Sequence, residues 1–342
     1  MRAVVCDSWR EFDDLEVRDI PAPPLRPGAV RLRVAAAGVS FATQLVVAGK
    51  YQRKPPLPFV PGTEAVGTVL ESAPDVADPL PPGTRVFAVL DWGAMAEEAV
   101  VDTIHVVPVP EGLPLEPAVA MPISYPTAAA ALLWRARLEP GPEGEKPWVL
   151  VQGAAAGVGL AGVEIAKAVG ARVIARCGAA KRDVPEGRGA DAWLDSAEPS
   201  FRDAVRGITG GSGCAAVLDT LGGRAFDEGL RCLGDGGVLV TIGYAGGAIP
   251  QLGVNLLLLK NIGVAGLNWG TYVGWSPKGS DGGDNRLQHA PRARALWAQL
   301  LAWWQQGRLR PEVHAGFPLE GFREAMAEVR GRRATGRVVL RP

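Results

Sequence analysis

The apolar residues of segment 148–176 follow the spacing of a strand, then that of a helix, then that of a strand again. Residues 148–151 form a short apolar run, and small or apolar residues recur with a 3.6-residue period from 158 to 169. Gly170 stands where a helix C-cap belongs, and a second β-type run covers residues 172–176. The pattern therefore predicts a strand–helix–strand unit.

The turn between the first strand and the helix is made of glycine and alanine only. Such small side chains let backbone N–H groups and the positive end of the helix approach an anion closely, which predicts a pyrophosphate cradle. An ordinary tight turn is the alternative, but the position between a strand and a helix favours a dinucleotide site. The predicted contacts are Gly153, Ala154, Ala156, Gly157 and Val158.

The residues after the second strand indicate which dinucleotide binds. An NAD site usually carries an acidic side chain about 20 residues past the glycines, where it bonds the ribose 2′-hydroxyl. Here no carboxylate occupies that place, and cations surround it. These charges could be solvated surface residues, but the missing acid favours a 2′-phosphate and thus NADPH. The residues concerned are Arg176, Cys177, Gly178, Lys181 and Arg182.

The rest of the chain divides into a part with mainly strand patterns and a part in which strand and helix patterns alternate. Up to about residue 120, short β-type runs broken by proline and glycine predict a compact barrel or sandwich, with one short helix around residues 41–48. Beyond residue 121, strand and helix patterns alternate and predict an α/β doubly wound sheet of about six parallel strands.

The last third predicts a return to the first domain. A glycine-rich polar loop is expected at residues 275–285, and a helix follows. Residues 336–340 read as a final strand that packs against the N-terminal domain. A dinucleotide-binding domain (123–267) is thus inserted into a catalytic domain (1–122 and 268–342), with the substrate cleft between them. The helix carries a stripe that we expect in the core: Trp297, Leu300, Leu301 and Trp304.

Composition narrows the class of protein. The 342 residues carry 36 basic and 36 acidic side chains, which argues against a nucleic-acid or anionic-membrane partner. The four cysteines are far apart, without the spacing of a disulfide framework or a zinc loop. No apolar run is long enough for a membrane span, and the first residues do not resemble a signal peptide. We therefore expect a cytoplasmic protein.

Several motifs in sequence order resemble the medium-chain dehydrogenase/reductase superfamily, and within it the zinc-independent quinone oxidoreductase branch. The resemblance covers nearly the whole chain and implies a GroES-like catalytic domain plus a Rossmann domain. The motifs are LPFVPGTEAVGTV (57–69), ISYPTAAAAL (123–132), the GAAAGVG turn, VLDTLGG (217–223), NLLLLKNIGVAGLNWGTY (255–272), FPLEGFREAM (317–326) and the closing GRVVL.

The resemblance implies that no metal is bound. Zinc alcohol dehydrogenases carry a cysteine and a GHE motif at the places that Ser40 and Thr63 occupy here, and their four-cysteine loop is missing. The three histidines, His105, His289 and His314, are scattered and favour surface or packing roles.

The implied activity is hydride transfer from NADPH to a quinone or an α,β-unsaturated carbonyl compound. Without a Lewis acid, hydrogen bonds alone polarise the carbonyl, which favours electron-poor acceptors. Two alternatives stay open. One is reduction of an enoyl thioester, in which Arg53 and Lys54 could contact the CoA or carrier arm of the substrate. The other is an NADPH-binding sensor or structural protein, as in crystallin relatives.

The resemblance also implies site residues. Tyr51 matches a tyrosine that lines the substrate pocket, where it either donates a proton to the substrate oxygen or only packs against the substrate. Tyr125 and Thr127 match a segment against the nicotinamide and join Tyr51 as candidate catalytic residues, although Thr127 would more readily position the carboxamide. Ser40 and Thr43 replace an Asn and an acid of many relatives, so acceptor choice does not carry over. Further cofactor contacts implied by match are Leu221, Gly243, Tyr244, Asn268, Trp269 and Arg337.

A final expectation concerns assembly. The apolar strand 262–267 should lie at the edge of the parallel sheet, where unpaired backbone groups invite another chain. Relatives join two sheets there, so we predict a homodimer.

Overall fold

The computed structural model describes residues 1–139, 145–274 and 286–342, so the loop expected at 275–285 lies outside the described residues. The chain divides into two compact units. The first comprises Met1–Ile123, Gly270–Trp297 and Pro311–Pro342, and the second comprises Ser124–Trp269 and Ala298–Arg310.

Fifteen strands occur in the described residues, and most match apolar β-type runs of the sequence. They are β1 (Arg2–Val5), β2 (Glu16–Asp19), β3 (Ala29–Val39), β4 (Glu64–Ser72), β5 (Arg85–Val89), β6 (Glu98–Asp102), β7 (Val106–Pro108), β8 (Trp148–Gln152), β9 (Arg172–Cys177), β10 (Ala192–Asp195), β11 (Cys214–Asp219), β12 (Leu233–Thr241), β13 (Gly263–Gly266), β14 (Val313–Pro318) and β15 (Arg337–Arg341).

Helices connect these strands. The α-helices are α1 (Phe41–Val47), α2 (Leu115–Ala118), α3 (Ser124–Ala129), α4 (Gly157–Ala168), α5 (Asp183–Gly187), α6 (Arg202–Ile208), α7 (Gly223–Arg231), α8 (Asn255–Lys260), α9 (Trp269–Tyr272), α10 (Arg286–Gln305) and α11 (Phe322–Arg330). A π-helix, Ala130–Arg135, continues α3. Short 3-10 turns cover Phe12–Asp14, Thr103–His105, Ala179–Lys181 and Leu319–Gly321.

The first unit is built on a largely antiparallel seven-stranded sheet. Its order is β14-β15-β3-β4-β5-β7, and β6 also pairs with β3. The last strand, β15, pairs antiparallel with β3, which confirms that the chain end returns to the N-terminal domain. Below the sheet, Phe12 and Phe322 pack edge to face with ring centroids 5.6 Å apart. The core thus joins residues from both ends of the chain.

The second unit is a six-stranded sheet with the order β10-β9-β8-β11-β12-β13, and every neighbouring pair is parallel. This is the 3-2-1-4-5-6 order of doubly wound dinucleotide-binding folds, as the alternating pattern predicts. The inner strands β8, β9 and β11 are mostly buried, which explains why their sequences are largely apolar and not alternating. Strand β13 forms one edge of the sheet.

Two details differ from the sequence-based picture. Segment Ala298–Arg310 belongs to the second unit, because the N–H of Arg310 donates to Glu164 and Arg308 donates to the carbonyl of Ala168.

The buried face of α10 also differs from the predicted apolar stripe. Leu301 and Trp304 are only half-buried, and the buried positions are Leu296, Trp297, Leu300 and Trp303.

None of the described helices combines the length and the apolar character that crossing a membrane requires.

Candidate functional site

The turn between β8 and α4 is held in a form that only glycine permits. Gly153 and Ala154 both donate their N–H groups to the carbonyl oxygen of Arg176, at 3.0 and 3.1 Å. Gly153 has a φ of 68°, in the left-handed region. A β-carbon on Gly159 would overlap the carbonyl oxygen of Gly153. The glycines therefore let the start of α4 lie against the end of β8.

The start of α4 leaves donors available. Its N-cap is Ala156, and no side chain of the described residues caps the first turn. The first N–H groups of a helix have no partner within it, and they carry the positive end of the helix dipole. A β-carbon placed on Gly157 would meet no described atom within 4 Å apart from its chain neighbours and its own helix backbone, so there is free space beside Gly157. A pyrophosphate fits these features, with Val158 as the next donor.

The loops after the other strands lie at the same edge of the sheet, because all six strands are parallel. Asp219 ends β11; its buried carboxylate accepts the N–H groups of Leu221 and Gly222, each at 3.1 Å, and burial raises its pKa. Tyr244 is 39% exposed, and its ring packs so closely on Gly222 that a β-carbon there would be 2.7 Å from it. The loop after β11 is thus fixed from both sides.

The other residues expected at this edge differ in burial. Gly243 is half-buried and Asn268 is exposed, both just beyond strand ends. Trp269 is buried, with its ring centroid 6.1 Å from that of Trp134. Packing therefore accounts for much of the surroundings of Trp269, while its cofactor contact stays a prediction.

A cationic corner follows β9. Gly178 begins the 3-10 turn that carries Lys181, and burial lowers the pKa of that lysine. Arg182 donates to Glu186 at 2.7 Å and lies 5.1 Å above the ring of Trp193. Lys181 and Arg182 are therefore the two cations of this corner that could contact a 2′-phosphate. Cys177 is buried, its Sγ donates to the carbonyl of Lys181 at 3.6 Å, and burial raises its thiol pKa.

The side chain of Arg176 does not contribute to this cationic corner. Its guanidinium donates to the carbonyls of Ser196 and Glu198, both at 2.9 Å, and lies 4.4 Å above the ring of Phe201. The side chain is only 5% exposed, and burial lowers its pKa. Successive strand residues point to opposite faces, so the expected phosphate contact is replaced by a role inside the unit. What Arg176 offers the turn is its backbone carbonyl.

Tyr125 and Thr127 lie on α3 but differ in their partners. The Tyr125 hydroxyl donates to the Glu164 carboxylate at 2.7 Å, in a buried contact. This bond engages the hydroxyl that the resemblance places in the catalytic group. Thr127 is 7% exposed, and its Oγ1 has no hydrogen-bond partner within the part of the chain that the structure describes.

Glu164 is a site residue that the sequence pattern did not predict. The available signal was a single charged residue within GLAGVEIA (159–166), a stretch of α4 that is otherwise small or apolar and is buried throughout. Such a position usually requires a buried partner.

The first unit holds the remaining predicted residues. Tyr51 is half-buried, and burial raises the pKa of its phenol. The hydroxyls of Ser40 and Thr43 hydrogen bond to each other at 3.0 Å, at the start of α1. No group of three or more His, Cys, Asp or Glu side chains within the described ranges could hold a metal ion.

Two arginines of this unit have carboxylate partners. Arg337 is buried and paired with Glu64. This pairing does not support the expected cofactor contact, which stays a prediction. Arg53 pairs with Asp91 and also donates to the carbonyl of Gly274 at 3.2 Å. The Arg53–Asp91 pair lines a cavity of about 1370 Å³ in the first unit, whose wall also includes Lys54, Phe59 and Trp92.

Comparison with known proteins gives consistent results. Residues 26–111 match the family model described as "Alcohol dehydrogenase GroES-like domain", and residues 157–278 match the one described as "Zinc-binding dehydrogenase". Quinone oxidoreductase-like protein 2 of Rattus norvegicus is 37% identical over 341 residues, which cover 99% of this chain and 91% of that protein.

Two solved structures are similar over their full length. A mycobacterial protein complexed with NADPH is 27% identical, with a TM-score of 0.88 and 100% coverage of both chains. The quinone oxidoreductase of Thermus thermophilus, also solved in complex with NADPH, is 31% identical, with a TM-score of 0.74 and 100% coverage of both chains.

Proposed function

The chain belongs to the quinone oxidoreductase branch of the medium-chain dehydrogenase/reductase superfamily, and on this basis we propose that it is a metal-free, NADPH-dependent reductase of quinones or α,β-unsaturated carbonyl compounds. The observation that carries the proposal is the start of α4, which has no side-chain cap among the described residues and has space beside Gly157, together with a cationic corner whose sequence has no carboxylate at the end of β9. A dinucleotide with a 2′-phosphate is the ligand that uses both features.

The chain's own residues supply binding and orientation. In this proposal the turn at Gly153 and the first N–H groups of α4 hold the pyrophosphate, Lys181 and Arg182 hold the 2′-phosphate, and Thr127 holds the carboxamide. NADPH, when bound, supplies the hydride from C4 of its nicotinamide ring. Relatives of known structure that carry NADPH support this choice of cofactor.

The proposed chemistry uses no metal ion. Ser40 and Thr63 stand where zinc enzymes of the superfamily carry ligands, and neutral hydroxyls are poor zinc ligands compared with thiolate and imidazole. A proton donor must then stabilise the charge that develops on the acceptor oxygen. We assign this role to Tyr51, whose raised pKa keeps the phenol protonated at neutral pH.

The proposal is tested by NADPH oxidation with chelator-treated protein. We expect turnover of an ortho-quinone or a simple enone with NADPH, slower turnover with NADH, and rates that the chelator does not change. Crotonyl-CoA is assayed in parallel. Turnover of crotonyl-CoA alone would instead identify an enoyl-thioester reductase, and tight NADPH binding without any turnover would indicate a binding protein.

We also propose that the protein is a homodimer formed through β13. This strand is at the sheet edge, and the segment of α8 before it exposes apolar side chains: Val254, Leu258 and Leu259 are 71%, 79% and 74% exposed. A strand edge that pairs with no other described strand, beside exposed leucines, favours a second copy of the chain. The continuous edge and apolar surface would be covered together.

Light scattering at micromolar concentration should give the mass of two chains. Leu258→Glu combined with Leu259→Glu should give the mass of one chain, because each glutamate would be buried without a partner. Leu287→Glu, at a leucine that is 72% exposed in the first unit, is the matched control and should remain dimeric. A single-chain mass for the unmodified protein would refute the dimer.

A further inference from the structure

We propose that the buried hydrogen bond between Tyr125 and Glu164 is a positioning device that fixes α3, and with it Thr127, for the nicotinamide half of the cofactor. The inference rests on the proposed NADPH site. It assigns Tyr125 a role through Thr127 and not a role in proton transfer.

Glu164 is the centre of a small buried network in the second unit. The residue is 2% exposed, and its carboxylate accepts three donors from three separate parts of the sequence. Oε2 accepts the Tyr125 hydroxyl at 2.7 Å and the Arg310 N–H at 2.9 Å, and Oε1 accepts Arg188 Nη1 at 2.6 Å. Arg188 Nη1 also donates to the Arg310 carbonyl at 2.6 Å. The carboxylate therefore joins α3, α4, the segment after α5 and the chain after α10.

Such a network fixes geometry more than it adds stability. Burial raises the pKa of Glu164 although all three donors favour the ionised form, so the desolvation cost outweighs their effect. A well-packed apolar side chain of similar volume would avoid that cost. What the carboxylate provides instead is a set of directional bonds, which hold the connected elements in one arrangement.

The two helices joined by this bond carry the two ends of the proposed cofactor site. Helix α4 begins at the pyrophosphate turn, and Glu164 lies two turns further along it. Helix α3 carries Thr127, two residues after Tyr125. Residues two apart on a helix are rotated by about 200°, so Thr127 faces away from the side that Tyr125 presents to α4. The Tyr125–Glu164 bond thus fixes the position of Thr127 relative to the pyrophosphate donors.

Two further observations indicate that this part of α3 serves a ligand. Thr127 is buried with its Oγ1 unpartnered among the described residues, and a buried hydroxyl without a hydrogen bond is costly. Directly afterwards the helix changes to a π-helix, Ala130–Arg135. Short π segments are rare and occur frequently at functional sites. A nicotinamide carboxamide would supply the missing partner of Thr127.

The test compares two ligands in the Tyr125→Phe variant. NADPH should bind about five- to tenfold less tightly, as expected when one hydrogen bond no longer orients the contact. Adenosine 2′,5′-bisphosphate, which lacks the nicotinamide half, should bind within about twofold of the unmodified protein. Titration calorimetry measures both affinities without requiring turnover. Tyr272→Phe, which makes the same change at a buried tyrosine of the first unit, is the matched control and should leave both unchanged.

A double-mutant cycle with Thr127→Val tests the route of the effect. If Tyr125 acts through Thr127, the two substitutions together should weaken NADPH binding hardly more than either alone. Glu164→Leu should reproduce Tyr125→Phe, whereas Glu164→Gln keeps an oxygen that accepts from Tyr125 and should retain most of the NADPH affinity. These variants carry the test should Tyr125→Phe not fold.

Three results would overturn the inference: equal weakening of both ligands, unchanged binding of both, or fully additive effects in the cycle. An unmodified protein that binds NADPH but reduces no acceptor would refute the proposed reductase activity and leave this comparison intact.

Discussion

The Lys181→Ala, Arg182→Ala double variant should bind NADPH about 100-fold less tightly and NADH within about twofold of the unmodified protein, since hydrogen bonds to charged groups contribute about 1.5–3 kcal/mol each. The physical reason is that, in the proposed site, NADPH reaches this corner through the 2′-phosphate that NADH lacks. Titration of tryptophan fluorescence or calorimetry with each dinucleotide measures the difference.

The single variants should separate the two cations. The Arg182 guanidinium also pairs with Glu186 at 2.7 Å. Each single substitution should weaken NADPH binding less than the double variant does, because one cation remains at the corner. Arg172→Ala is the matched control, because Arg172 lies at the opposite end of β9 over Trp148. Loss of NADH and NADPH binding in equal measure would place the 2′-phosphate elsewhere.

The same corner predicts a pH dependence. Burial lowers the pKa of Lys181, so its ammonium loses the proton at a lower pH than an exposed lysine. NADPH affinity should therefore fall on the alkaline side, before 10.5, while NADH affinity stays level. The dependence should vanish in Lys181→Ala.

The sequence predicts the glycine turn between β8 and α4 well because the signals for it are local. Glycines at the turn, an apolar strand before it and a helical period after it all lie within a few residues, and the structure places Gly153, Gly157 and Gly159 as that pattern requires. The parallel sheet order also follows from alternating patterns, because crossover connections admit few arrangements.

Side-chain direction could not be predicted in the same way. Arg176 and Cys177 are neighbours on β9 and point to opposite faces, and no local signal shows which face the cofactor uses. Tyr125 is 39 residues from Glu164, so its partner becomes visible only after folding. Arg337 is likewise paired with Glu64 from a distant part of the chain. Resemblance transfers the position of such residues, whereas their partners are set by the whole fold.

Replacing Tyr51 by phenylalanine should lower kcat for enone reduction by about 100-fold, the lower range for loss of a general acid. The change removes one hydroxyl and keeps the ring, so NADPH affinity and the apolar surface of the residue should be unchanged. Stopped-flow measurement of NADPH oxidation, with NADPH binding titrated separately, distinguishes the two effects. Tyr272→Phe again serves as the matched control.

The pH profile adds an independent readout. Because burial raises the pKa of Tyr51 above its ordinary 10.0, the unmodified enzyme should keep its kcat through neutral and mildly alkaline pH and lose it only above that value. The Phe variant should lack this alkaline limb. A variant with unchanged kcat and a raised KM would instead show that Tyr51 is a wall of the pocket, and the proton donor would have to be sought among other groups, such as the hydrogen-bonded hydroxyls of Ser40 and Thr43.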